Sequence, residues 1–366
     1  LADQGQANIS DKLNLSDKKK LAGYLSSYNG RPLRLMEVCG THTAALYHTG
    51  IRQLLSPKIE MLSGPGCPVC VTPTSYIDKL VEYALTPDCK VLSFGDMLRV
   101  PGSRMSLAEA RAKGAAVSMF YSPEQILTQA AKEPETRFIL AAVGFETTAP
   151  VWATVVKAIQ KQGLTNVKLL TSLKTMPAAM EMLCESGEID GFLCPGHVAV
   201  ITGSKYFRHL AHVYHEPMVV GGFTEEQLLL ALTQLVHKAE RMYAGVWNGY
   251  PECVTEEGNK KALALMADVF EPGTAAWRGL GLVNNSGLYL KDEFTSLDAG
   301  SGALTEDKVP AGCSCGQVLT GQITSSECPL FGKACTPDKP VGACMVSNEG
   351  SCRIAYQQEA AMYGPK

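Results

Sequence analysis

The chain has 366 residues, 46% hydrophobic and 19% charged, with a formal net charge of −3 and a sequence pI near 6.2. That balance gives no electrostatic footprint for a nucleic-acid partner, and no apolar run reaches membrane-spanning length. The length exceeds a comfortable single core, so two or three domains are expected.

Residues 1–20 are polar and mixed in charge, without the basic-then-apolar order of a secretory leader, so a cytoplasmic location is expected. In that compartment thiols stay reduced, and the thirteen cysteines point to metal binding or redox exchange before a disulfide framework.

Short apolar stretches rich in β-branched or bulky side chains alternate with longer amphipathic ones. In chain order, strands are predicted at residues 33–38, 59–62, 90–94, 116–120, 137–143, 167–171, 191–194 and 218–220. Helices are predicted at 43–54, 75–85, 107–113, 123–132, 148–162, 176–185 and 224–243. Such alternation predicts an α/β fold with mostly parallel sheets covered by helices on both faces. The expected organisation is two consecutive parallel-sheet α/β domains facing a cleft, residues 30–131 and 136–223, joined at the proline-marked Lys132-Glu-Pro134-Glu. A third, cysteine-rich iron–sulfur domain would combine residues 1–29 with 224–366.

Open parallel sheets bind ligands beyond the carboxyl ends of their strands. The unusual residues recur there, in Cys39-Gly-Thr-His-Thr43, Gly64-Pro-Gly-Cys-Pro-Val-Cys70, Gly95-Asp96, Gly144-Phe-Glu-Thr-Thr148, Ser172-Leu-Lys174 and Cys194-Pro-Gly-His197. Candidates for one site are therefore Cys39, Cys67, Cys70, Asp96, Glu146, Lys174 and His197, with His42 beside Cys39.

A lone cysteine is most often a small buried hydrophobe. Cys39, however, precedes a predicted helix, where the dipole and unpaired amides favour a thiolate. Cys67-Pro-Val-Cys70 has the spacing of a redox pair and equally of a two-sulfur chelate. Cys39, His42, Cys67 and Cys70 would also make a four-ligand zinc set. His48 reads as a surface residue.

Six further cysteines fall in the last 54 residues, spaced Cys-x-Cys-x12-Cys-x6-Cys-x8-Cys-x7-Cys: Cys313, Cys315, Cys328, Cys335, Cys344 and Cys352. The pattern differs from the compact bacterial ferredoxin run. Paired zinc knots are disfavoured by the lack of a Cys-x2-Cys here and of any histidine after His237. Six thiols divide into four cluster ligands and an exchange pair. The glycine-rich stretches, Gly279-Leu-Gly281 and residues 298–302, read as turns, and none has the spacing of a phosphate-binding loop.

Together the strand-end motifs, Pro195-Gly-His-Val198, Arg278-Gly-Leu-Gly281, Ser286-Gly-Leu288, Cys328-Pro-Leu-Phe-Gly-Lys333, Cys344-Met-Val-Ser347 and Glu349-Gly-Ser-Cys352 resemble the HypD family, over roughly residues 30–356. After Asn248-Gly-Tyr250 the family carries a basic residue before the valine, where this chain reads Pro251-Glu-Cys-Val254. Cys253 and Cys194 look like local additions, and Cys89, Cys184, Cys194 and Cys253 are left out of the site.

The resemblance implies a maturation scaffold with redox activity, on which the Fe(CN)2CO unit of [NiFe]-hydrogenases is assembled. Iron would be held together with a small HypC partner, cyanide would come from HypE, and the hydrogenase large subunit would be reached indirectly. It further implies Cys39 as an iron ligand, Cys67 and Cys70 as ligands or redox partners beside it, and a [4Fe–4S] cluster in the C-terminal region. Cys313, Cys328, Cys335 and Cys352 are assigned as cluster ligands and Cys315 and Cys344 as the exchange pair. Spacing leaves open a swap of Cys313 with Cys315 or of Cys344 with Cys352. His42, Asp96, Glu146 and His197 would supply protons or hydrogen bonds to iron ligands. The competing readings are a stand-alone iron–sulfur disulfide reductase working through Cys67 and Cys70, and a zinc-stabilised binding protein without sulfide.

Overall fold

The computed structural model describes residues 17–304 and 307–363. Its eleven strands are β1 (Leu33–Glu37), β2 (Ile59–Ser63), β3 (Cys89–Ser93), β4 (Val117–Met119), β5 (Arg137–Gly144), β6 (Val167–Lys174), β7 (Gly191–Cys194), β8 (Pro217–Val220), β9 (Gly245–Asn248), β10 (Phe270–Trp277) and β11 (Gly281–Leu290). They form two sheets, ordered β2-β1-β7-β8-β9 and β10-β11-β6-β5-β3-β4. The α/β class is as expected. Among the described residues no helix is long and apolar enough to cross a membrane.

The two halves do not follow one another along the chain. One compact unit runs through Gly64 and resumes over Met180–Gly258; the other comprises Pro65–Ala179 and the chain from Asn259 onward. β1 pairs with β7, and the polar joint at residues 132–135 merely links a helix to β5 within one sheet. The expected domains at 30–131 and 136–223 are thus replaced by interleaved ones. The expected third domain is also divided, with the helix Glu225–Glu240 in the first unit and the cysteine-rich tail in the second. Residues 1–16 of that expectation lie outside the described residues. The physical reason is that these strands are buried on both faces and read as continuous apolar runs, so local pattern reveals a strand but not its neighbour.

In the first unit every strand pair is parallel. Leu35, Leu193 and Val219 pack against Leu21 and Leu25 of the helix Lys18–Ser26 and against Leu228, Leu232 and Leu235 of Glu225–Glu240. The latter helix starts at a capping box in which Thr224 and Gln227 satisfy each other's amides, with Glu225 and Glu226 in the first turn. That arrangement satisfies orphan N–H groups and suits the helix dipole.

In the second unit β5 divides its side chains by parity, as a strand must. Phe138, Leu140 and Ala142 enter one core, with Trp152, Val156 and Phe294, while Ile139, Ala141 and Val143 enter the other, with Tyr76, Ile77 and Leu80. The hairpin β10–β11 adds the antiparallel edge, and its turn at residues 278–280 places Gly279 in the left-handed region at φ 75°. Trp152 is 2% exposed and meets the rings of Phe94 and Phe120 edge-on at 5.9 Å each. Trp152→Ala should cost about 3–5 kcal/mol, read as a lower urea midpoint.

Candidate thiol centre

β1 delivers Cys39 at its carboxyl end as the N-cap residue of the helix Gly40–His48. That helix stops short of the predicted residue 54, because Gly50 turns left-handed at φ 72° and a separate turn, Ile51–Leu54, follows. Cys39 is 7% exposed. Its N–H donates to Oε2 of Glu37 at 3.1 Å, and Thr43 Oγ1 donates to the other carboxylate oxygen. Glu37 is fully buried, and burial pushes its carboxyl up to about 7 despite those hydrogen bonds. The sequence reading missed this residue. The available signal was an acidic side chain inside an otherwise apolar strand.

His42 is buried, and its Nε2–H lies 3.2 Å and 3.1 Å from the Gly221 and Gly222 carbonyl oxygens. Burial lowers it to about 4, so the ring is neutral and Nδ1, which has no partner among the described residues, is an acceptor. It stacks on Phe223 at 4.5 Å, and Phe223 stacks with the exposed His197 at 4.0 Å. These residues belong to the first unit, as Cys39 does.

The remaining candidates lie in the second unit. Asp96 is exposed at the start of the 3-10 turn Asp96–Arg99. Glu146 is buried, and its Oε1 accepts the N–H of Met176 at 2.7 Å, at the start of the helix Met176–Glu185. Lys174 is also buried, donates to Ser172 Oγ at 2.9 Å, and is lowered by burial to about 7.

The cysteines form a connected set in the second unit. Cys67 and Cys70 are buried in the loop after the first segment boundary, and the Cys70 N–H reaches Cys67 Sγ at 3.3 Å. The Cys70 thiol lies beside those of Cys67 and Cys344. Cys344 in turn lies beside Cys315 and Cys352, and Cys313 Sγ lies 3.1 Å from Cys315 Sγ. Burial pushes the Cys70 thiol well above its usual value, while the Cys344 hydrogen bond holds Cys352 below its own. Cys70 and Cys352 therefore differ in how readily they ionise.

Cys313, Cys315, Cys328, Cys335 and Cys352 line a small cavity together with Val318, Leu330, Phe331 and Met345, and Cys344 is not part of that lining. The Val341 N–H donates to Cys335 Sγ at 3.3 Å. Gly342 forms part of the wall, and a Cβ there would lie 2.5 Å from Cys315 Sγ and 2.9 Å from Cys313 Sγ. Among the described residues no three His, Cys, Asp or Glu groups converge on a single-ion position. The sulfurs ring a space. Five thiols among apolar side chains give this lining the soft donor set that an iron–sulfur cluster takes.

These features define an α/β thiol protein, with one cysteine at a strand end and others strung between a Cys-x-x-Cys loop and a cysteine-lined cavity. Residues 17–359 match the HypD family, described as the hydrogenase formation hypA family. The chain is 36% identical over 359 residues to the hydrogenase maturation factor HypD of Rhodobacter capsulatus, covering 95% of each chain. It is 38% identical over 345 residues to HypD of Escherichia coli K12, covering 93% of this chain and 92% of that one. It is 40% identical over 348 residues to the hydrogenase expression/formation protein HupD of Azotobacter chroococcum mcd 1, covering 91% and 92%. The chain belongs to the HypD family.

Two outcomes follow from this geometry. Because the folded Glu37 stays protonated up to about 7 while the unfolded one ionises near 4.5, the folded state binds more protons between those values. Stability should therefore fall as pH rises through that window, by roughly 1.4 kcal/mol per unit at most, and Glu37→Gln should flatten the slope in urea titrations at pH 5, 6 and 7. A Cβ at Gly316 would lie 2.2 Å from the Gly279 carbonyl oxygen, a backbone atom that cannot step aside. Gly316→Ala should cost about 1–3 kcal/mol and raise the reactivity of the Cys315 thiol toward alkylating reagents.

Proposed function

We propose that this chain is the scaffold and redox component on which the Fe(CN)2CO unit of [NiFe]-hydrogenase is assembled. Cys39 anchors the cargo iron together with a thiolate from a HypC-type partner, and a HypE-type protein donates cyanide. The hydrogenase large subunit receives the product indirectly, and the work takes place in the cytoplasm, where thiols remain reduced. Soft thiolates suit ferrous iron bearing strong-field ligands. The support for Cys39 is its place at a strand end with its backbone fixed by Glu37.

The observation that carries the redox half is the unbroken run of thiol contacts from Cys67 to the cavity. Transfer of cyanide from a thiocyanate-like donor onto iron is reductive, so the scaffold needs a renewable dithiol. In the reading we favour, the Cys344 thiolate attacks Cys70 of a Cys67–Cys70 disulfide and Cys67 leaves. Cys315 then attacks Cys344, Cys70 leaves, and a Cys315–Cys344 disulfide remains. One disulfide is consumed and one is made, with two protons passing to Cys67 and Cys70, so no outside oxidant or reductant enters. A [4Fe–4S] cluster held by Cys313, Cys328, Cys335 and Cys352 would supply single electrons to the Cys315–Cys344 pair. Cys315 faces that cavity and touches Cys344, as this division of labour requires.

His42, neutral and with Nδ1 open to a donor, suits accepting a hydrogen bond better than delivering a proton. Glu37, held near neutrality, is the better proton carrier beside Cys39.

Co-expression with HypC- and HypE-type partners, anaerobic purification and infrared spectroscopy test the scaffold. Cyanide and carbonyl stretches should appear with the native chain and vanish with Cys39→Ala. An iron–sulfur chromophore without those bands would support the disulfide-reductase reading instead, and a colourless, sulfide-free protein the zinc reading. The thiol run has its own test. Mild oxidation of Cys67→Ser/Cys315→Ser should link Cys70 to Cys344, detected as one cross-linked peptide by mass spectrometry; its absence would remove the proposed exchange.

A further inference from the structure

Arg278 is the one arginine among the largest fully buried side chains, at 1% exposed. Its backbone N–H donates to the Val71 carbonyl oxygen at 2.8 Å, one residue beyond Cys70, and Nη2 donates to the Pro101 carbonyl oxygen at 2.6 Å. Nε and Nη1 are buried with no acceptor among the described residues. A guanidinium does not deprotonate in a protein. Buried donors are rarely left unsatisfied, and an unpaired interior charge is costlier still. Something with negative charge or lone pairs belongs opposite those two nitrogens.

The backbone shows where. Gly279, next in the chain, is packed so tightly that a Cβ on it would lie 2.7 Å from the N and Cα of Gly316. Gly316 follows Cys315, so this close approach holds Arg278 beside the segment carrying Cys313 and Cys315. Arg353, beside Cys352, also leaves its Nε unpartnered, but that side chain is only half-buried.

We infer that Arg278 is the buried counter-charge beside the cysteine-lined cavity, its unpartnered Nε and Nη1 available to a sulfur acceptor of a bound group on the Cys313 side and so favouring the more negative, reduced state of whatever the cavity holds. The inference rests on the cluster reading above. It makes Arg278 a positioning residue whose effect is on potential, separate from any contact with cargo iron.

The test is an EPR-monitored redox titration of the anaerobically reconstituted full chain, with iron and sulfide measured on each sample. Arg278→Met should lower the midpoint by about a tenfold change in the reduced-to-oxidised ratio, ~59 mV for one electron. Arg278→Lys, which keeps the charge, should lose less than half of that, and Arg353→Met less than Arg278→Met. An Arg278→Met protein with native iron and sulfide and a shift under threefold overturns the inference, as does Arg278→Lys matching Arg278→Met. If Arg278→Met does not fold, pulsed EPR on Arg353→Lys protein carrying 15N-guanidinium arginine decides: a nitrogen coupling to the reduced cluster supports the inference and its absence overturns it. A native chain that takes up no iron and sulfide would instead sink the cluster reading and this inference with it.

Discussion

The contact on which the cysteine chemistry depends is the meeting of Cys70 with Cys344. It joins a Cys-x-x-Cys loop at the start of the second unit to a tail at its end, and it exists only because backbones approach closely nearby. Gly279 lies on Gly316 with no room for a Cβ on either, and Gly342 leaves space for the Cys313 and Cys315 sulfurs. Sulfur contacts are weak individually. Here the glycine backbones, the β10–β11 turn and the apolar wall of Phe331 and Met345 do the holding, and the thiols occupy what remains.

The strand-end cysteine in the first unit is positioned by a different device. There the rigid element is β1, and a buried carboxyl two residues back fixes both the Cys39 amide and the Thr43 hydroxyl. A carboxyl in such a place is expensive as an anion, so it stays protonated near neutrality. One unit thus presents a cysteine beside a proton reservoir, and the other a series of neighbouring cysteines.

Much of the fold was legible residue by residue. β7 falls on the predicted 191–194, and the helices Pro123–Lys132 and Met176–Glu185 fall on their predicted bounds. Long amphipathic runs and continuous apolar runs carry their own signal. Pairing does not, since any of these doubly buried strands could sit beside any other, and the interleaving of the sheets left no local trace. The β10–β11 hairpin was missed for another reason: β10 begins with a largely exposed stretch and lacks the apolar density of the rest. For the site, spacing singled out the cysteines as candidates but not that Cys344 stands outside the cavity that Cys315 enters. Arg278 was visible only as part of a motif; that its guanidinium is interior is a property of the folded chain alone.

Interleaving has a consequence for the order in which the protein is made. β1 and β2 leave the ribosome long before β7, their next partner in the sheet, and the Cys67/Cys70 loop long before the tail carrying Cys344. At about 5–20 residues per second, that delay is on the order of ten seconds. During it, a sheet edge is unpaired and two vicinal thiols have not yet met their shield. The nascent chain is therefore most open to aggregation and to premature oxidation in the middle of its own synthesis, and a reducing, chaperone-rich setting at that stage is a requirement written into the topology.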